Sequence, residues 1–267
     1  MDGLRLYGRY ISTSLRAQMQ YRGSFLLTSF GAFLATGVDF VAIWALFARF
    51  RQIAGWHFGE IALFYAVIGV SFAIADALTR GFDIFGEQFV KTGDFDRLLV
   101  RPRSTTLQLL GYELRATRVG RLAQALVVWA IAVRLTSISW TWAVWGTLLF
   151  AVTGGIALFS GILILQATLA FWTVESLEIA NTLTYGGVEA AEYPLDVYAR
   201  WFRSFLTFIV PLGCVSYFPV AAVLGRGERT GISPTLLQLT PLLGFVFLGV
   251  ALLIWPLGVR HYKSTGS

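Results

Sequence analysis

Apolar residues in this chain gather into runs of about 20 or more, separated by short polar segments, the length a helix needs to cross a bilayer. Five runs are clear: 24–48, 60–79, 119–136, 143–165 and 236–257. Gly69, Ala73 and Ala77 recur every four residues in the second run. Gly154, Gly155, Ala157 and Gly161 crowd the fourth, and small residues at such spacing let helices approach closely. The region 166–236 is harder to read. Its first part, 166–190, holds Glu175, Glu178, Asn181 and Glu189, and its later part, 204–224, is apolar but interrupted by Pro211 and Pro219.

Ahead of the first run, residues 3–22 carry Leu4, Tyr7, Ile11 and Leu15 at helical spacing, with Arg5, Arg9 and Arg16 on another face. This predicts a basic amphipathic helix lying flat on a membrane surface. It does not read as a signal peptide, because it is polar and the run behind it is too long. Trp140, Trp142 and Trp145 mark an interfacial aromatic belt before the fourth run.

Composition strengthens the membrane reading. Of 267 residues, 56% are apolar and 13% charged, against about 25% charged in soluble domains. A soluble globule of this size has too little interior for that apolar surface. The expected fold is an all-α integral membrane protein forming one domain over 1–267. The single cysteine, Cys214, excludes an internal disulfide, and two distant histidines, His57 and His261, argue against a metal site.

The net charge of +6 is set by 19 arginines and two lysines, which cluster beside the apolar runs and so fit lipid headgroups better than nucleic acid. Four arginines precede the first run, eight basic residues lie between the second run and the start of the third, and two follow the last. All fourteen share one side if the termini do, and the positive-inside rule makes that side cytoplasmic. The number of crossings is then even, and six fits. Two topologies satisfy this. In one, 166–190 is the fifth crossing and 195–224 dips into the outer leaflet and returns. In the other, 166–203 stays cytoplasmic and 204–224 crosses, an arrangement that charge counting slightly favours.

Catalytic motifs are missing. There is no G-x-x-x-x-G-K-[ST] loop, no H-E-x-x-H and no G-x-S-x-G, so this chain is not expected to bind or hydrolyse ATP, nor to bind any other cofactor. The strongest positive signal is the charged loop 80–106, with five basic and four acidic residues. Within it Phe82, Phe85 and Phe89 can share a helix face. Thr92-Gly93-Asp94 reads as a stop and an N-cap, and Phe95, Leu98 and Leu99 form an apolar face on a short helix closed by Pro102. Such a helix either docks a partner or packs on its own membrane domain. Asp39 and Asp76 lie in apolar runs and must face protein or water. With Glu175, Glu178 and Glu189 they are the candidate pathway or interface residues, and Glu192 is a similar case.

Several stretches in order resemble one family. They are Gln18-Met19-Gln20-Tyr21-Arg22 leading into the first run, Gly93-Asp94-Phe95-Asp96-Arg97-Leu98-Leu99 with Arg101-Pro102, Ala170-Phe171-Trp172, Tyr193-Pro194-Leu195, the run from Pro211 to Pro219, Leu224-Gly225-Arg226, and the closing Arg260-His261-Tyr262. Together they resemble the permease subunits of type-2 ABC exporters, in the branch of uncharacterised six-span bacterial permeases. The resemblance implies the first topology, with 166–190 as the fifth span and 195–224 as a re-entrant helical hairpin. It implies that 94–101 is a cytoplasmic coupling helix docking on a separate ATPase that holds ATP and magnesium. Phe95, Leu98 and Leu99 would then supply apolar contact, and Asp94, Asp96, Arg97 and Arg101 would orient it. It further implies a connecting helix at 3–22, a second permease subunit as homodimer or heterodimer partner, the bacterial cytoplasmic membrane as location, and export as the direction. The rival readings are a proton-coupled secondary transporter using Asp39 or Asp76, a lipid-active intramembrane enzyme, and a membrane anchor for partners. No inverted repeat and no nucleophile or metal set supports the first two.

Overall fold

The computed structural model describes residues 20–112, 116–173 and 177–263. The surface helix expected at 3–22, with Arg5, Arg9 and Arg16, falls outside them except for its last three residues, and so does Glu175. Glu178 lies on a described helix, but its side chain is outside the description.

Among the described residues, all regular structure is helical except for one tiny hairpin. Helix α1 spans Arg22–Phe50, and α2 spans Phe58–Leu78. Between them β1 (Gln52–Ile53) pairs antiparallel with β2 (Trp56–His57), Ile53 opposite Trp56. The two turn residues, Ala54 and Gly55, both have positive φ, which suits the twist of a two-residue hairpin turn. His57 then caps α2, its N–H donating to Glu60 Oε2 at 2.7 Å.

Short helices follow: α3 (Arg80–Asp83), α4 (Phe95–Leu99) and α5 (Thr105–Leu110). Next come α6 (Ala116–Leu135), α7 (Trp142–Leu169) and α8 (Leu177–Ala191). A broken region contains α9 (Arg200–Ser204), α10 (Leu212–Val215) and α11 (Tyr217–Val223). Finally α12 (Pro234–Leu239) leads into α13 (Leu242–His261).

Helix α2 is the centre of the bundle. It packs on α6 along one side and α7 along the other, while α1 covers α6 and α13 covers α7. Small residues set these distances, as expected from the sequence. A Cβ on Gly69 would stand 3.1 Å from Ala125 Cβ, and one on Gly244 would stand 2.1 Å from the Gly154 carbonyl oxygen. The α7–α13 crossing is thus a glycine-on-glycine contact with no room for a methyl group. Ser71 in the α2–α7 seam donates both to its own helix, at Val67 O (2.6 Å), and across to Val152 O (3.3 Å).

The structure redraws several expected limits. The fourth and fifth runs do not divide at residue 165: α7 continues to Leu169, residues 170–173 leave the helix, and the next described helix is Leu177–Ala191. Continuous apolar sequence hid that break. The last run is two helices, parted at Thr240-Pro241. The segment 195–224 holds two helical pieces, Arg200–Ile209 and Leu212–Val223, bent by 73° at Val210-Pro211. Pro211 lacks the N–H that a continuing helix needs, whereas Pro219 sits in the first turn of α11, where none is needed.

Among the described residues, four helical stretches are long and apolar enough to cross a membrane: Arg22–Phe50, Phe58–Leu78, Trp142–Leu169 and Pro234–His261. The bent pair makes a fifth if taken as one span. Six crossings are therefore not established by length and composition. Helix α6 has 20 residues but carries Arg118, Arg121 and Arg134, and α8 has 15, about 22 Å of rise.

Candidate functional site

Two places concentrate polar chemistry. The first is the charged loop. Gly93, at φ 74°, ends the preceding turn in a left-handed conformation that glycine adopts without strain. Asp94 occupies the N-cap position of α4 but makes no side-chain cap. Its carboxylate instead pairs with Arg97 across one turn, at 2.9 Å. The helix is shorter than the expected 94–101, ending at Leu99. Gln108 on α5 straps its end, Nε2 donating to Leu98 O (3.1 Å) and Arg103 O (3.2 Å).

The apolar face of α4 is split. Phe95 is 0% exposed and Leu98 7%, whereas Leu99 is 43% and Val100 85% exposed. Phe95 and Leu98, expected to supply apolar contact to a partner, are seated in the chain's own core. The Phe95 ring meets Phe85 (5.1 Å), Phe171 (5.4 Å) and Tyr262 (4.9 Å), while Phe82 and Phe85 both pack edge-on against Trp255. Phe82, Phe85 and Phe89 do share one buried face, as predicted. Edge-to-face pairs of this kind contribute about 0.5–1.5 kcal/mol each beyond area burial. Phe171 follows the end of α7, and Trp255 and Tyr262 belong to the end of α13, so the cluster welds α4 to two long helices. Burial, and then the neighbouring Asp96 carboxylate, push the Tyr262 phenol above its ordinary pKa. Arg97 and Arg101 remain exposed beside Leu99 and Val100. Seen from outside, α4 presents a basic and apolar edge.

The second place is a cavity of about 540 Å³ between α1, α2, α6 and α8. Asp39, Glu189 and Glu192 line it together with Tyr65, Arg121 and Gln124. The structure thus joins Asp39 to Glu189, which are 150 positions apart in sequence. Asp76 is not in the lining. It lies buried behind it, paired with Arg118 Nε at 2.7 Å and Arg121 Nη1 at 3.8 Å. Arg121 also stands over the Phe72 ring, 5.3 Å from its centroid. Sequence reasoning missed Gln124 and Tyr65. A signal for Gln124 was present, since it is a lone amide in the apolar stretch 122–133.

A third polar knot ties the opposite end of the bundle. Arg226, in the loop after α11, donates to Gly55 O (2.6 Å) and Glu60 Oε2 (2.8 Å) and stacks on Trp56 at 4.6 Å. In the turn before α9, Asp196 accepts from Tyr217 Oη at 2.9 Å and lies 3.9 Å from Arg203.

The family model described as ABC-2 family transporter protein matches residues 33–266. The chain belongs to the ABC-2 transporter family. No curated protein and no solved structure matches it. Family membership and the apolar helices together make it the permease component of an ABC transporter, a multi-pass membrane protein that is not the catalytic subunit. Membership also implies association with ABC ATPase subunits. In an ABC-2 permease the exposed edge of α4 and the polar cavity are the two features that need a role.

Proposed function

We propose that this ABC-2 permease is one half of an exporter, crossing the bacterial cytoplasmic membrane six times with both termini inside. ATP and magnesium are bound by separate ATPase subunits. The four long apolar stretches supply four crossings. Helix α6 supplies another: its rise is about 30 Å, Arg118 and Arg121 near one end are compensated by Asp76, and Arg134 near the other end can reach the interface. Helix α8 with the bent pair completes the sixth, α8 rising through part of the bilayer and the pair forming a re-entrant hairpin. The polar knots at Asp196 and Arg226 support this, because irregular backbone at membrane depth requires protein around it.

The observation that carries the proposal is the two-sided helix α4. Its outer edge, Arg97 and Leu99, with Val100 and Arg101 just after it, docks on the ATPase, with Asp94 and Asp96 helping to orient it. Its inner edge, Phe95 and Leu98, passes the displacement to Phe171, Trp255 and Tyr262. Closure of two ATPases on ATP then moves the ends of α7 and α13 together with α4. The cavity side of α1 and α8 bears carboxylates that lipid would solvate poorly, so a second permease subunit, identical or related, closes that side. The test is co-purification of the permease with an ABC ATPase encoded beside it. Retained association in Leu99→Asp and Arg101→Glu chains that insert normally would overturn the docking assignment.

A further inference from the structure

We infer that the groove between α2, α6 and α7 holds one anionic phospholipid, its phosphate on Arg134 and an acyl chain along the groove. This goes beyond the exporter reading and needs from it only that α6 crosses the bilayer. In the proposed orientation the lipid belongs to the outer leaflet.

Charge complementarity names the occupant. Arg134 is exposed in the last turn of α6. Residues 114–174, which include all of α6 and α7, contain no aspartate or glutamate. The start of α2 reaches this end of α6, since a Cβ on Gly59 would stand 2.8 Å from Leu135 Cβ. The carboxylate there, Glu60, is held by Arg226 at 2.7 Å. Arg118, Arg121 and Arg203 also have carboxylate partners, but among the described residues none meets Arg134. Its counter-charge must come from outside these elements. At a membrane interface the anion at hand is a lipid phosphate, which matches the planar fork of a guanidinium.

The shape beside Arg134 suits a lipid tail. The groove has a volume of about 550 Å³. Leu126, Trp129 and Ala130 line one wall, Trp145 and Leu149 the other, and buried Val70 lies at the floor. Arg134 is the one charged residue in this lining. From Leu126 to Arg134 the rise is about 12 Å, most of the ~15 Å depth of one leaflet. The charge therefore sits at the headgroup end of a leaflet-deep apolar slot. In hydrocarbon such a slot is filled by a chain, because an empty one forfeits dispersion contacts. Helical spacing sets these α6 residues opposite Arg121 and Gln124, which line the polar cavity. The groove thus faces away from the side given to the second permease.

The tryptophans fix the depth independently. Trp129 and Trp145 stack at 6.4 Å, and Trp140 adds to them at 5.0 Å from Trp145. Trp142, at the start of α7, is 92% exposed. Indoles collect at the headgroup level, so this cluster and Arg134 mark one interface.

The test is native mass spectrometry of the full chain released from micelles that hold dioleoylphosphatidylglycerol and dioleoylphosphatidylcholine in equal amounts. One phosphatidylglycerol per chain should be retained, with about tenfold preference, as for one charge-assisted contact. Arg134→Gln should abolish the preference, and Arg134→Lys should keep part of it. Ala130→Trp leaves the arginine in place but fills the groove, and should lower phosphatidylglycerol retention severalfold. Arg51→Gln, at an exposed arginine in the turn between α1 and β1, should leave both unchanged. Undiminished preference in Arg134→Gln, unchanged retention in Ala130→Trp, or equal loss in Arg51→Gln overturns the site. Inorganic phosphate displacing the lipid at equal concentration overturns the acyl-chain contact. Disulfide-linked dimers of an Ala130→Cys chain would seat a second permease in the groove and overturn the lipid. The same variant in nanodiscs separates the two readings. Labelling by a water-soluble maleimide would place α6 outside the bilayer and sink the crossing itself. Protection without lipid preference leaves the crossing standing and overturns the site alone.

Discussion

The Phe95 ring stands edge-on to the Tyr262 ring, with centroids 4.9 Å apart and planes at 86°. One residue belongs to a five-residue loop helix and the other follows the last long helix, so this contact joins the charged loop to the C-terminal end of α13. Phe95→Ala should cost about 3–5 kcal/mol, the range for emptying a packed aromatic site. It should also lower transport-coupled ATPase stimulation more than ATPase binding. Thermal unfolding in detergent and a coupled ATPase assay check the two parts, and equal loss of binding and stimulation would speak against a transmission role.

The outer edge of α4 should behave in the opposite way. Leu99→Asp, Val100→Asp and Arg101→Glu lie at exposed positions, where substitutions usually shift stability by no more than about 0.5 kcal/mol. ATPase recovered by pull-down should nevertheless fall by about tenfold or more, since a charge would be desolvated or reversed at the contact. Unchanged recovery would place the docking surface elsewhere.

Asp76→Asn should be among the most destabilising polar substitutions. It leaves Arg118 and Arg121 without their shared carboxylate in a buried setting, a loss of about 3–5 kcal/mol. An Asp76→Asn, Arg118→Gln pair should recover part of the melting temperature. A double-mutant cycle with zero coupling would contradict the ion pair.

Arg226→Lys should not substitute for arginine. Lysine can meet Glu60 but cannot also reach Gly55 O in the same planar fork or stack as well on Trp56. A loss of about 1–3 kcal/mol is expected, the range for hydrogen bonds to charged groups. Limited proteolysis should show faster cutting in the loop 224–233.

Topology is directly testable because the only native cysteine, Cys214, is buried. Gln52→Cys and His57→Cys should react with a membrane-impermeant maleimide from the outside, and Arg97→Cys only after the membrane is opened. The reverse pattern would invert the proposed orientation.

Much of this architecture is legible in the chain itself. Runs as long as 24–48 and 143–165 have no stable place in water, and their backbone groups can be satisfied in lipid only by forming helices. Glycines at 154 and 161 announced close contacts, and the charged segment 80–106 stood out as the one part built to meet water. The break after Leu169 was not legible, because apolar composition continues through Ala170-Phe171-Trp172.

What the sequence determined is that the chain folds into long apolar helices suited to a bilayer and which residues on each helix share a face, since both follow from local periodicity and transfer energy. Tertiary structure decided which way those faces turn. The spacing of Phe95, Leu98 and Leu99 is the same for a helix pressed into a partner and for one pressed into its own domain. Only the arrival of Phe171, Trp255 and Tyr262 around Phe95 assigns two of the three inward and leaves Leu99 exposed. The same holds for the cavity: Asp39, Gln124 and Glu189 are unremarkable polar positions on three helices until packing sets them around one space. Periodicity acts over a few residues, whereas this juxtaposition spans 150, and long-range packing alone brings such distances together.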